Sequence, residues 1–179
     1  CVAALACFEH AGLSSRAAMC HLLLARIALR LDDAADGRRR CDNALAQLAR
    51  SESPILTYHA RLLQGHALTR AGERARAYES YQAAREALET LRSRLNGEDL
   101  KIAFVKNKRE VYERLVDLCL SGDVEAGGFE EAFSHIEQAK SRTLFDLMFQ
   151  PVHALAREEG SGSQLRHSIR ELREELNWD

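Results

Sequence analysis

His59 and His66 lie seven residues apart, a spacing that puts two imidazoles on one face of a helix. Paired imidazoles are half of a metal site, but helical ligand pairs are usually four apart and no third ligand accompanies these two. Cys20 and His21 are adjacent, and a helix turns adjacent side chains to different sides, so they do not make a thiolate–imidazole pair. The cysteines at 1, 7, 20, 41 and 119 have neither the spacing of a zinc knuckle nor an even count, and read as small buried apolar residues in a reducing compartment. Arg38-Arg39-Arg40 and Lys106-Asn107-Lys108-Arg109 could touch phosphates, but acidic neighbours and the lack of interleaved aromatics read as solvated helix ends. There is no H-E-x-x-H, no glycine-rich phosphate loop and no G-x-S-x-G. The expectation is a chain without a catalytic site, metal or cofactor of its own.

The elements that would position any site are helices. Two prolines among 179 residues leave long stretches uninterrupted, and Ala, Leu, Arg and Glu, the strong helix formers, dominate. Aromatics are 6% and β-branched residues sparse, so the fold class is all-α. With 25 basic and 27 acidic residues the net charge is −2, which gives no global pull towards nucleic acid or an anionic membrane. No stretch approaches the roughly 20 apolar residues of a membrane span. The opening CVAALACFEHAG is apolar, yet it lacks a basic leader and carries Glu9 and His10. It reads as the inside of a helix in a longer, cytoplasmic protein.

A pattern of small and large residues recurs along the chain. In GHALTRAGERARAYESYQAA, Gly65 and Leu68 share a face, Ala71-Gly72 turns the chain, and Ala77, Tyr81 and Ala84 line the return helix. Small–large–small is what two antiparallel helices in close contact need. The triplet recurs at Gly37, Cys41 and Ala44, at Ala132, Ile136 and Ala139, and at Ala4, Phe8 and Ala11. On these residues the sequence resembles the tetratricopeptide repeat (TPR) family, whose first helix carries a small–large pair matched here by Ala25 and Ala28, Gly65 and Leu68, and Val116 and Cys119. The resemblance implies a TPR-like α-solenoid of antiparallel helix pairs over 1–149: a half repeat at 1–13 and repeats at about 15–50, 54–96 and 99–149. The openings of the return helices at 4, 37, 77 and 132 are 33, 40 and 55 apart, so the array lengthens along the chain. Ser51-Glu52-Ser53-Pro54, an overlong return helix running to Asn96-Gly97, and Glu125-Ala126-Gly127-Gly128 account for the extra residues.

The string Glu137-Gln138-Ala139-Lys140-Ser141-Arg142, continuing to Leu144, Asp146 and Leu147, is similar to the repeat that closes TPR arrays ahead of a CHAT domain, a caspase-like cysteine protease fold. That resemblance covers about 50 residues and implies only a neighbourhood; His135, His153 and His167 take no catalytic role from it. Residues 150–179 are then a linker and a C-terminal helix, in which Leu165, Ile169, Leu172 and Leu176 form a short heptad seam. That seam caps the array or pairs with a second copy or another domain.

What a TPR array implies is a groove that takes a protein or peptide segment. Carried over by position, the groove is Met19, Leu22, Arg26, Leu29 and Arg30, then His59, Leu62, His66, Thr69 and Arg70, then Glu110, Glu113, Asp117, Leu120 and Ser121. The expected contacts are apolar Leu22, Leu29 and Leu62, with Arg26, Arg30 and Arg70 pairing acidic groups and Glu113 and Asp117 at the acidic end. The Lys and Asn that clamp a terminal carboxylate in some members are absent from the set. The functional expectation is a protein-binding scaffold, the sensing or substrate-presenting arm of a TPR–CHAT protease. The alternative is the helical signal-integration region of a multidomain transcription regulator.

Overall fold

The computed structural model describes residues 1–49, 51, 53–94, 109–121 and 128–139. By contacts the chain divides into Cys1–Thr143 and Leu144–Asp179, and every described residue belongs to the first unit. Asn96-Gly97, Lys106 to Lys108, Glu125 to Gly127, Lys140 to Leu147 and the heptad seam lie outside the described residues.

All regular structure among the described residues is α-helical, with no strand. The helices are α1 (Val2–His10), α2 (Ser14–Arg30), α3 (Ala34–Leu48), α4 (Pro54–Arg70), α5 (Arg74–Arg94), α6 (Glu110–Leu120) and α7 (128–139). Each helix from α1 to α5 packs on the next, α2 also touches α4, and α5 touches α6. Pro54 stands in the first turn of α4, where its missing N–H is not needed. Asp33 caps α3 by accepting from the Asp36 N–H at 2.9 Å.

Three turns have one geometry. After α1, α2 and α4 a residue with positive φ reverses the chain: Gly12 at 67°, Asp32 at 62° and Gly72 at 77°. At each, two amides turn back onto the helix just ended, Leu13 to Phe8 and Gly12 to Glu9, Asp33 to Ala28 and Asp32 to Leu29, Glu73 to Leu68 and Gly72 to Thr69. This paired bonding satisfies carbonyls that a helix end leaves open, and it starts the next helix within three residues. Asp32 adopts the left-handed conformation with a full side chain, a position at which the sequence gives no glycine signal.

Close helix crossings depend on residues with little or no side chain. A Cβ on Gly65 would lie 2.4 Å from Tyr81 Cε1, so the ring occupies the space against the α4 backbone. Tyr81 is 1% exposed, and its hydroxyl lies 3.3 Å from Thr69 Oγ1, which donates to the Gly65 carbonyl at 2.9 Å. Burial pushes the Tyr81 hydroxyl up to about 12. Gly37 lets α3 approach α2 in the same manner, with Leu29 3.0 Å from where a Cβ would stand.

Ala25, Ala28, Cys41, Ala44, Ala77, Ala84 and Ala132 are buried at these crossings, as the small–large pattern requires. The first triplet departs from it. Ala4 and Ala11 are exposed and Phe8 is half-buried, and Leu5 is the α1 residue that enters the core beside Ala17 and Cys20. Two cysteines depart as well: Cys20, Cys41 and Cys119 are buried, but Cys1 and Cys7 are exposed thiols.

Gly65→Ala is expected to lower stability by about 1–3 kcal/mol, because the methyl must displace a ring held on all sides. The urea midpoint measures this, and an unchanged midpoint would show that the crossing tolerates a Cβ. At the turns the signs are opposite. Gly72 has open space around it, so Gly72→Ala carries only the conformational penalty of about 1 kcal/mol, whereas Asp32→Gly is expected to gain about 0.5 kcal/mol. Calorimetric melting of the two variants distinguishes them.

Candidate interaction surface

Helices α2, α4 and α6 carry the positions singled out as a groove, and the structure divides them into three kinds. Leu22, Leu29 and Leu62 are 6%, 6% and 7% exposed. They were expected to meet a partner and instead fill the helix interfaces: Leu22 with Ala18, Ala44, Leu48 and Ala60, Leu62 with Tyr58, Leu68 and Tyr81, and Leu29 against Gly37. The reason is packing geometry. Helices that touch neighbours on two sides bury a wider arc than one stripe, and these leucines fall within that arc.

The second kind is charged but already engaged. Arg70 Nη1 donates to the Leu29 carbonyl at the C-terminal end of α2, an oxygen that also accepts from the Asp32 N–H, and lies 3.6 Å from Asp32 Oδ1. A guanidinium placed there complements the negative end of the helix as well as the carbonyl. His66 Nε2 is 3.2 Å from Glu110 Oε1, off the hydrogen-bond axis. Burial holds the His66 imidazole below its ordinary value; Glu110 pulls it up, and the Arg114 and Arg70 cations push it down again. Glu110 is shared with Arg114 at 3.5 Å, Asp117 faces Arg114 at 3.9 Å, and Glu113 accepts from Arg109 at 3.0 Å. The acidic end of the groove is therefore largely neutralised by its own helix. His59 is exposed with its ring edge-on to Tyr58 at 5.0 Å.

The third kind remains available. Arg26 and Arg30 are exposed on α2, and no ion pair engages either of them among the described residues. Met19 at 45%, Ile27 at 50% and Leu31 at 76% are exposed beside them. Met19, Arg26 and Arg30, with half-buried Leu23 between, follow steps of four, three and four, so they form one line along the helix. Ile27 and Leu31 were not among the expected contacts. Only their lack of small partners on the next helix could have marked them, since apolar residues in a helical sequence otherwise read as core.

Elsewhere, the Arg38-Arg39-Arg40 run considered for phosphate contact is used within the fold, while Lys106 to Lys108 lie outside the described residues. Arg38 bonds Glu73 at 2.9 Å, and Arg39 and Arg40 both face Asp36. Among the described residues no group of three His, Cys, Asp or Glu could hold a metal ion, and no helix is long and apolar enough to cross a membrane. Cys20 packs with Leu5 while His21 turns to Glu9 at 3.3 Å, so the adjacent pair diverges. Burial pushes the Cys41 thiol up to about 12, which makes it a poor nucleophile at neutral pH. No protein-family model, curated protein or solved structure matches the chain.

Arg70→Gln is expected to lower stability by about 1 kcal/mol through the lost α2 cap, while Arg26→Ala and Arg30→Ala stay within about 0.5 kcal/mol. Chemical denaturation of the three variants tests this division; equal losses in all three would erase the distinction between capping and free arginines.

Proposed function

We propose that this chain is a protein-interaction scaffold of TPR type, and that the exposed line along α2 is where it takes an acidic, amphipathic segment of a partner. Two helix pairs, α2 with α3 and α4 with α5, share a small-residue crossing and a positive-φ turn, and this repetition supports the array reading. The observation that carries the function is the contrast between arginines. Arg70 and Arg38 are engaged inside the fold, whereas Arg26 and Arg30 stand free between Met19, Ile27 and Leu31. Guanidinium groups without internal partners, interleaved with exposed apolar side chains, suit a segment that offers carboxylates and apolar anchors together.

The similarity of Glu137 to Arg142 and its continuation to the approach to a CHAT domain supports a place for the array in a larger protein. In that arrangement it would serve as the sensing or substrate-presenting arm of a caspase-like protease, and any catalysis would belong to the other domain.

Panning a display library of random peptides on the chain is expected to select sequences that combine Asp or Glu with Leu, Ile or Phe. Calorimetry with a selected peptide should show affinity falling at least about tenfold in the Arg26→Glu, Arg30→Glu double variant, and falling with added salt. Peptides whose binding ignores both the charge reversal and salt would sink the proposal.

A further inference from the structure

The interface between the α4–α5 pair and helices α6 and α7 contains two imidazoles, His66 and His135, and each reaches across it. His135, on α7, is 2% exposed. Its Nε2 lies 3.3 Å from the Tyr78 hydroxyl of α5, and its Nδ1 has no hydrogen-bond partner among the described residues. Tyr78 donates its own proton to Glu131 of α7 and accepts from Gln82 at 3.0 Å. The hydroxyl proton being committed, its oxygen accepts from His135, so the neutral ring carries its proton on Nε2 and leaves Nδ1 bare. A second proton would create a buried N–H on Nδ1 with no acceptor, beside the Arg85 guanidinium of α5.

His66, on α4, meets the same difficulty in another way. Its side chain is 23% exposed, and the Tyr81 ring of α5 meets it edge-on at 5.8 Å. Across the interface stand Glu110 and Arg114 of α6, and Arg70 stands on its own helix. Glu110 would welcome a cation but is already shared with Arg114. Burial is the largest influence on both imidazoles and lowers both, with Arg85 acting in the same direction at His135 and Glu131 opposing.

We propose that His66 and His135 make this interface an acid-released latch, closed while both rings are neutral and loosened when they take up protons. The sign follows from linkage. The unfolded chain binds these protons at about pH 6.5 and the folded interface only at lower pH, so its stability is full above about 6.5 and falls as the pH drops through that window. The neighbouring interface differs. The α2–α3 pair is tied to α4, α5 and the turns beside them by Ser15 with Ser51, Gln64 with Asp42, Arg38 with Glu73 and Arg70 with the Leu29 carbonyl. None of these four links is an imidazole; Arg70 alone among them stands beside one, His66, and the buried His21 of α2 faces Glu9 of α1, so α3 is the element that the release should leave untouched.

Hydrogen exchange of the full chain at about pH 7.5 and about pH 5.5, corrected for intrinsic rates, tests the latch. Amides of α6 and α7 should lose protection by up to about tenfold for each imidazole, the limit at one pH unit below the ordinary value, while α3 keeps its protection. The His66→Gln, His135→Gln double variant keeps a side-chain N–H at each place without a titrating ring, and should abolish the difference. Proton NMR titration of the wild-type imidazoles supplies an arm that does not depend on the variant's folding: both rings must titrate below about 6.5. Protection that is unchanged in α6 and α7, or lost equally in α3, overturns the proposal, as does either ring titrating at or above the ordinary value.

Discussion

The Tyr81 ring resting on the backbone of Gly65 sets the separation of α4 and α5, and much of the core follows from that distance. With the two helices this close, Ala77 and Ala84 can be buried above and below the ring, and Leu62, Leu68 and Leu88 close around it. The hydroxyl is not left stranded, because Thr69 sits within reach at 3.3 Å while bonding the Gly65 carbonyl. Gly37 and Leu29 repeat the arrangement with an aliphatic side chain between α3 and α2. A core rich in alanine has little apolar area per residue to bury, so contact at short range between many small groups must take the place of a few large ones.

The tight crossings constrain where charge can go. A wide arc of α2 and α4 is consumed by neighbours, which leaves a narrow exposed strip on each, and most of the arginines near these strips find partners in the fold. Arg70 closes the end of α2, Arg38 reaches Glu73, and Arg114 lies between Glu110 and Asp117. Exposed pairs of this kind contribute little energy each. Their importance here is subtractive: they occupy most of the arginines, and Arg26 and Arg30 of α2 are left without an ion pair among the described residues.

Much of the fold was legible because its signals are local. Gly72 announces a left-handed turn, Pro54 a first helical turn, and Ala77, Tyr81 and Ala84 a buried face, each from chemistry within a few residues. Asp32 was not legible, since the left-handed conformation is imposed there by two helices meeting and not by a residue that prefers it. The groove was read less well than the fold. Position along a helix distinguishes faces but not how many neighbours cover them, so Leu22, Leu29 and Leu62 looked available and are core. Arg70 looked like a recognition residue for the same reason. Its acceptor, the Leu29 carbonyl, lies 41 positions away and is a backbone atom that no side-chain pattern encodes.

Ala4 and Ala11 sharpen the point from the other side. They complete the same small–large–small spacing as Ala77 and Ala84, yet they are exposed, because spacing makes a close crossing possible without supplying the helix that uses it. The same logic applies to the polar groups. A histidine in a helical sequence has no assigned role; His59 stays at the surface while His66 and His135 are drawn into an interface by Tyr81 and Tyr78. Once there, the imidazole is the one side chain among its neighbours whose ordinary ionisation falls near neutral pH. The proposed α2 surface and the proposed α6–α7 latch would therefore respond to different conditions: the first to charge on a partner, the second to the proton. The separation is physical, since the links of Arg38 with Glu73 and Gln64 with Asp42, which hold α3 in place, involve neither ring.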